Sequence, residues 1–400
     1  MTGTGLTGTE LTRADRQAQI TGIGETDYVR GTMLSTEDLL LQAALLACAD
    51  AGVEPASVDG IVIPSGKIGA EAFVPGLGLS DLRFHAANSM GGASAAAAVM
   101  IAAAAVTSGQ ASRVVVTAGG TQYSSARRLS SADGSAAAFS WPGRDFRTHL
   151  ERPYGLTVPM QWYSLQANRW LAETGADPAG FRAVALAARA HARNNPRAYF
   201  RDRPLTAAEY DSAPEVVSPF RLYDICLESD GAAAVVVEPS TAPGQRGHRG
   251  VVLAGGGEGH AEVPDDLVSR PDILELGLTK VARRVLGELG LSAADVDFAQ
   301  IYDCFTFVVL RQLEELGFCK RGEGSGYALD VGIGPGSAVP VNTHGGLLAQ
   351  AHIAGMNHVT EAVRQLRGEA GPAQLPHAEL GLVTGYGDMS AGSLLVLGTV

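Results

Sequence analysis

At 400 residues the chain is too long for one ordinary hydrophobic core, so two domains or two fused halves are expected. Hydrophobic residues make up 46% and charged residues 18%, and the formal net charge is −12. That balance suits a compact globular protein and argues against nucleic acid or an anionic membrane surface as a partner. Met1 to Arg16 is polar with no apolar core, so no signal peptide is expected. The four cysteines, Cys48, Cys226, Cys304 and Cys319, are scattered. Neither a disulfide framework nor a metal site is expected from them, and the expected compartment is the cytoplasm.

In chain order, Ile20 to Val29 reads as a strand. Ser35 is placed to cap a helix running to Ala51, with Gly52 after its last turn. Val58 to Ile63 reads as a short strand. The alanine-rich run 93–106 is too short to span a bilayer and reads as a buried helix, followed by a fully buried strand at Val114 to Thr117. In the second half, Gly250 to Ala254 gives a strand and Pro271 to Leu289 a helix ended by Gly290. SAADVDFAQIYD (292–303) then echoes EPASVDGIVIP (54–64). Helices follow at Phe305 to Gly317 and about Gly346 to Leu366, and strands at Leu380 to Thr384 and Ser393 to Leu397 close the chain.

Strands alternating with helices indicate an α/β protein with parallel units. The repeated order suggests two similar halves, 1–245 and 246–400. Residues 120–235 differ: they hold Trp141, Trp162, Trp170 and many arginines, and read as an insertion over one face. Its arginines suit either phosphate binding or a solvated basic surface.

Three segments carry a family resemblance. They are NNPRAYFRDRPLTAAEYDSAPEVVSPFRLYDICLESDGAAAVVV (194–237), YDCFTFVVLRQLEELGFCKRGEG (302–324) and PVNTHGGLLAQAHIAG (340–355). Together, and in this order, they resemble the thiolase superfamily in its sterol-carrier or lipid-transfer branch. The resemblance implies a thiolase fold: two fused βαβαβαββ halves in a five-layer αβαβα sandwich with an inserted loop domain. It further implies a homodimer acting on a CoA thioester, with no cofactor bound by the chain. Many such proteins also need a small OB-fold/zinc-ribbon partner.

The family's nucleophilic cysteine belongs at the start of the alanine-rich helix. That position falls on Gly92, in SMGGASAAAA (89–98). The helix start still offers unpaired N–H groups and a positive dipole end that can hold a thioester oxygen. Ser89 and Ser94 are the nearby hydroxyls, but no base to activate them is evident. The family's second cysteine is also missing, from LVTGYGDMSAG (382–392). Tyr386 and Asp388 are candidates to replace it as acid/base, with Gly387 and Asp388 as substrate contacts.

By the same resemblance, His352 keeps the histidine of the family's Gly-His-Pro and is expected to donate to the thioester oxygen. Tyr302, beside Asp303, replaces the asparagine of Asn-Glu-Ala-Phe, and a phenol there can move a proton. His344 and Asn342, before the Gly345-Gly346 turn, are further candidates, and His85 and Asn88 are weaker ones. Cys304 is either a displaced nucleophile or a buried packing residue.

Loss of the cysteine with retention of the donors suits retro-aldol or aldol chemistry on a β-hydroxyacyl-CoA, without a covalent intermediate. Steroid-CoA aldolases of the lipid-transfer type share this pattern. The alternatives are an acyltransferase using Cys304 and a non-catalytic acyl-CoA-binding homologue.

Overall fold

The structure, a computed structural model, describes residues 17–64, 68–125, 147–241, 248–262, 270–387 and 391–399. Strand β1 (Ala18–Glu25) leads into helix α1 (Thr36–Ala51). Ser35 Oγ accepts from the Asp38 N–H at 3.0 Å, and the Asp38 carboxylate accepts from the Ser35 N–H at 2.9 Å. This capping box fixes where the helix begins. Gly52, at φ 69°, ends it in the left-handed conformation that a residue without Cβ adopts freely. Next come β2 (Gly60–Ile63), α2 (Phe73–Leu77), β3 (Phe84–Ala87), α3 (Ser94–Thr107) and β4 (Val114–Thr121).

Helices α4 (Pro159–Thr174), α5 (Ala179–Ala192) and α6 (Ala207–Ser212) and the pair β5 (Glu215–Val217) and β6 (Phe220–Arg221) precede β7 (Asp230–Pro239). The second half contains β8 (Val251–Gly259), α7 (Gly277–Leu289), β9 (Phe298–Gln300) and α8 (Thr306–Leu316). It continues with α9 (Gly346–Ala349), α10 (Met356–Arg367), β10 (Leu380–Gly387) and β11 (Ala391–Thr399).

Nine strands form one sheet in the order β3-β2-β4-β7-β1-β8-β11-β10-β9, and β5 and β6 form a separate two-stranded sheet. In the first set β2 runs parallel to β3 and β4, and β7 runs antiparallel to β4 and β1. The second set mirrors it: β9 is parallel to β10, and β11 is antiparallel to β10 and β8. Val341 bridges Ala299 in parallel at the position that β3 fills in the first set. Among the described residues, Gln19↔Val252 and Ile20↔Val251 join the sets through β1 and β8.

Helices α3 and α10 pack against strands of both sets, so they form a layer between them. Helix α1 covers the outer face of the first set, and α7 that of the second. The strands obey the period of two. Val114, Val116, Val235 and Leu395 join the central core, whereas Val115, Val236, Leu394 and Val396 face outward into the flanking cores. Both faces of each set are therefore dry, which gives the five αβαβα layers. No described helix is long and apolar enough to cross a membrane.

The structure departs from the sequence expectation in three places. The stretch read as an insertion ends at β7, which lies inside the sheet between β4 and β1. The helix expected from Pro271 begins at Gly277, because Asp272 Oδ1 accepts from the Leu274 N–H at 2.9 Å and holds a turn there. The helix expected from Gly346 to Leu366 is broken between α9 and α10. Ala354 (φ 61°) and Gly355 (φ 86°) both adopt left-handed geometry, which an α-helix cannot contain.

Helices α4 and α5 join the core of the second set. Trp170 stacks on Phe181 and meets Phe307 edge-on at 5.7 Å. Trp162 is buried too, while Trp141 lies outside the described residues. Several arginines of this region have partners within the fold: Arg182 pairs with Asp211, Arg197 with Glu25, and Arg189 lies over the Phe200 ring.

Candidate active site

The site is built where the start of α3 meets the ends of β9 and β10. Ser94 Oγ accepts from the Met90 N–H at 2.8 Å, and Asn88 Nδ2 donates to the Ser94 carbonyl at 3.0 Å. These two side chains therefore shape the turn that enters the helix, and Ser94 is a backbone acceptor. Gly387 of β10 has no Cβ because one would overlap the Met90 carbonyl. It packs the strand onto this turn through backbone.

Gly92 is the centre of the arrangement. A Cβ built on it would overlap Cζ and the hydroxyl of Tyr302 and the backbone carbonyl of Tyr386. The Tyr302 phenol thus fills the space that a side chain at the nucleophile position would occupy. Two side chains, themselves bonded to each other, hold Tyr302 there. Its N–H donates to Thr384 Oγ1 at 3.1 Å, its carbonyl accepts from Gln312 Nε2 at 2.7 Å, and Thr384 Oγ1 donates to Gln312 Oε1 at 2.6 Å.

The Tyr302 hydroxyl lies 3.1 Å from His352 Nε2, and His352 Nδ1 lies 2.6 Å from Gln122 Oε1. A carbonyl oxygen only accepts, so Nδ1 carries the proton and Nε2 accepts from the Tyr302 O–H. Burial pushes the His352 pKa down to about 4, with Asp303 opposing, so the ring is neutral at pH 7. The expected role of His352 as a donor to a thioester oxygen does not match this geometry, because Nε2 is engaged as an acceptor. His352 sits in the break before α10, where its N–H donates to Ser229 Oγ at 3.2 Å.

The other sequence candidates divide by position. Asp303 accepts from the N–H groups of Leu347 (2.7 Å) and Leu348 (3.2 Å) and lies 3.2 Å from His358 Nε2. It caps α9. Gly346 allows this approach, since a Cβ there would overlap the carboxylate. Asn342 (φ 58°) accepts from the Ile301 N–H at 2.6 Å and donates to its carbonyl at 2.8 Å, which extends the strand.

His344 is fully buried and edge-on to His358 at 4.9 Å; burial, then His358 and Arg364, keeps it neutral. It serves the interior behind the site. Tyr386 is buried with its ring 5.8 Å from Tyr163, its hydroxyl donates to Gln166 Oε1 at 3.2 Å, and burial pushes its pKa up. Its backbone carbonyl, and not its phenol, faces Gly92.

Cys304, the alternative nucleophile, is buried beside Tyr163, and burial and then Cys226 push its thiol well above the ordinary range. That is the environment of an inert thiol. His85 is exposed on the edge strand β3, and Asp388 lies outside the described residues. Gln122 was not singled out by sequence reasoning, because a lone glutamine after a strand carries no motif. A surface hollow of about 660 Å³, lined by Phe318, Tyr327, Val339 and His377 among others, includes none of these site residues.

Two mirrored strand sets around two buried helices, with a site at one helix start, define a thiolase-fold protein. Residues 257–399 match the family model described as thiolase C-terminal domain-like. The chain is 38% identical over 367 residues to 17-hydroxy-3-oxo-4-pregnene-20-carboxyl-CoA lyase of Mycobacterium tuberculosis, covering 88% of this chain and 92% of that protein. It is 36% identical over 364 residues to the steroid side-chain-cleaving aldolase of Thermomonospora curvata, covering 88% and 90%. A solved structure described as an Ltp2-ChsH2(DUF35) aldolase superposes with a TM-score of 0.88 at 32% identity, over 96% of this chain and 98% of that one. The chain belongs to the thiolase superfamily, in the sterol-carrier, lipid-transfer branch that includes acyl-CoA aldolases.

Proposed function

We propose that the protein is a carbon–carbon lyase that cleaves, or in reverse forms, the Cα–Cβ bond of a β-hydroxyacyl-CoA without a covalent cysteine intermediate. The observation that carries this reading is the overlap of Tyr302 with the side-chain space of Gly92. A phenol at the positive end of α3 supplies proton transfer where the fold otherwise places a thiol.

In retro-aldol cleavage one proton leaves the β-hydroxyl, the Cα–Cβ electron pair moves into a thioester enolate, and one proton returns to Cα. The Tyr302–His352 pair can serve both transfers. Tyr302 accepts the hydroxyl proton as its own passes to His352 Nε2, and the same path run backwards delivers a proton to Cα. The developing enolate oxygen is stabilised by the positive end of α3 near Gly92, where the Ala93 and Ser94 N–H groups already bond the Met90 and Gly91 carbonyls. Acyl transfer through Cys304 is disfavoured by the buried, high-pKa setting of that thiol.

A steroid or other polycyclic side-chain thioester is the proposed substrate, by analogy with the two named relatives. The proposed active form is a cytoplasmic homodimer with an OB-fold/zinc-ribbon partner, in line with the DUF35 component named for the superposed aldolase. No cofactor is proposed on this chain. The test is incubation with a tertiary β-hydroxyacyl-CoA, alone and with the partner, followed by mass detection of the ketone and the shortened acyl-CoA. Formation of both is expected; no turnover of any such thioester with the partner present would contradict the reading.

A further inference from the structure

We infer that Gln122 is a positioning residue that decides which nitrogen of His352 carries the proton, and hence the direction of transfer between Tyr302 and His352. The inference deepens the aldolase reading and rests on it. Gln122 follows β4 in the first strand set, whereas His352 lies in the break before α10 in the second half. Their 2.6 Å contact between Oε1 and Nδ1 therefore crosses the two halves of the fold.

The turn that carries Gln122 is tied down on both sides. Thr121 Oγ1 lies 3.1 Å from Thr36 Oγ1 and 2.8 Å from Ser125 Oγ. Beyond Gln122, the Ser124 N–H and hydroxyl donate to the Asp230 carboxylate at 3.0 and 2.6 Å. Gln122 is thus presented from a fixed arm. Its acceptor leaves the imidazole one favourable tautomer, with Nε2 bare toward the Tyr302 hydroxyl. Without that acceptor the ring is free to place its proton on Nε2. The phenol would then face a donor, and its proton would have no acceptor on His352.

Nitrogen-15 NMR of the histidine rings reads the tautomer directly, with the His352 signals assigned by their loss in His352→Gln. The wild-type protein is expected to carry the proton on Nδ1. Gln122→Met, similar in shape but without the acceptor, is expected to populate the Nε2–H form and lower kcat by about 10²-fold with KM little changed. Gln122→Glu restores the acceptor and is expected to recover both the tautomer and most of kcat. A wild-type proton on Nε2, or a Gln122→Met protein with unchanged tautomer and kcat, overturns the assignment. A tautomer that responds as expected in a protein that turns over no β-hydroxyacyl-CoA upholds Gln122 and removes the aldolase reading instead.

Discussion

The two helices of the central layer solve the same packing problem with opposite chemistry. Helix α3 is mostly alanine, and small side chains let strands of both sets close on it. Helix α10 lies in the same layer but buries Asn357, His358, Thr360, Glu361, Gln365 and Arg367. Thr360 bonds Glu25, Glu361 accepts from Thr343 at 2.6 Å and from Gln365 at 2.9 Å, and Arg367 pairs with Asp50 at 2.8 Å.

Apolar contacts are non-directional, whereas a buried polar network specifies one arrangement. The first helix therefore brings its positive end at Gly92 against the Tyr302 phenol. The second is locked in register, and His352, four residues before it, is delivered to Tyr302 at a set distance. In the proposed reaction the difference separates the group that holds charge from the group that moves a proton.

The largest effect expected from breaking this contrast is on the polar helix. Glu25 is buried between Arg364 and Arg197, each at 2.8 Å. Arg364→Ala leaves that carboxylate with the Thr360 hydroxyl and the exposed Arg197 and is expected to cost about 3–5 kcal/mol, read by denaturant unfolding. On the helix start, Gly92→Ala drives a methyl into the Tyr302 ring. We expect kcat to fall by about 10²-fold through misplacement of the phenol, with a stability loss of about 1–3 kcal/mol because the Tyr386 carbonyl must move as well. Overpacking the apolar helix with Ala98→Leu is expected to cost about 1–3 kcal/mol, read by the same unfolding curves, because strands on both sides limit relaxation.

A pH titration sharpens the comparison further. Burial alone would raise the Glu25 carboxyl, but the arginines outweigh it and hold it at about 2, against 4.5 when free. A folded pKa below the unfolded one means that the stabilisation is whole above pH 4.5 and is lost as pH falls toward 2. The urea midpoint of the wild type should drop across that window, and that of Glu25→Gln should drop less.

Much of this was legible in the sequence because it depends on local signals. The N-cap at Ser35 and the glycine stops at Gly52 and Gly290 set helix ends that the structure keeps. The absence of cysteine at Gly92 was readable from the alanine-rich run and the family resemblance. Strand β7 was not, since Gly-Ala-Ala-Ala-Val-Val-Val has no period to distinguish strand from helix. The break after α9 was hidden for a related reason: Gln350 to Ala354 continues an apolar helical pattern, and only tertiary packing turns Ala354 left-handed. Two site features required three dimensions outright: the overlap of Tyr302 with Gly92, and the reach of Gln122 to His352 across 230 residues.

The central claim is that a phenol has taken the place and the work of the thiol. Its most direct test compares turnover of a β-hydroxyacyl-CoA by Tyr302→Phe and by a variant in which all four cysteines are replaced by alanine or serine. A loss of about 10²- to 10⁴-fold in kcat is expected for Tyr302→Phe, the range of positioned acid–base catalysis, with near wild-type turnover in the cysteine-free protein. Full activity in Tyr302→Phe together with an inactive, folded cysteine-free protein would contradict the account.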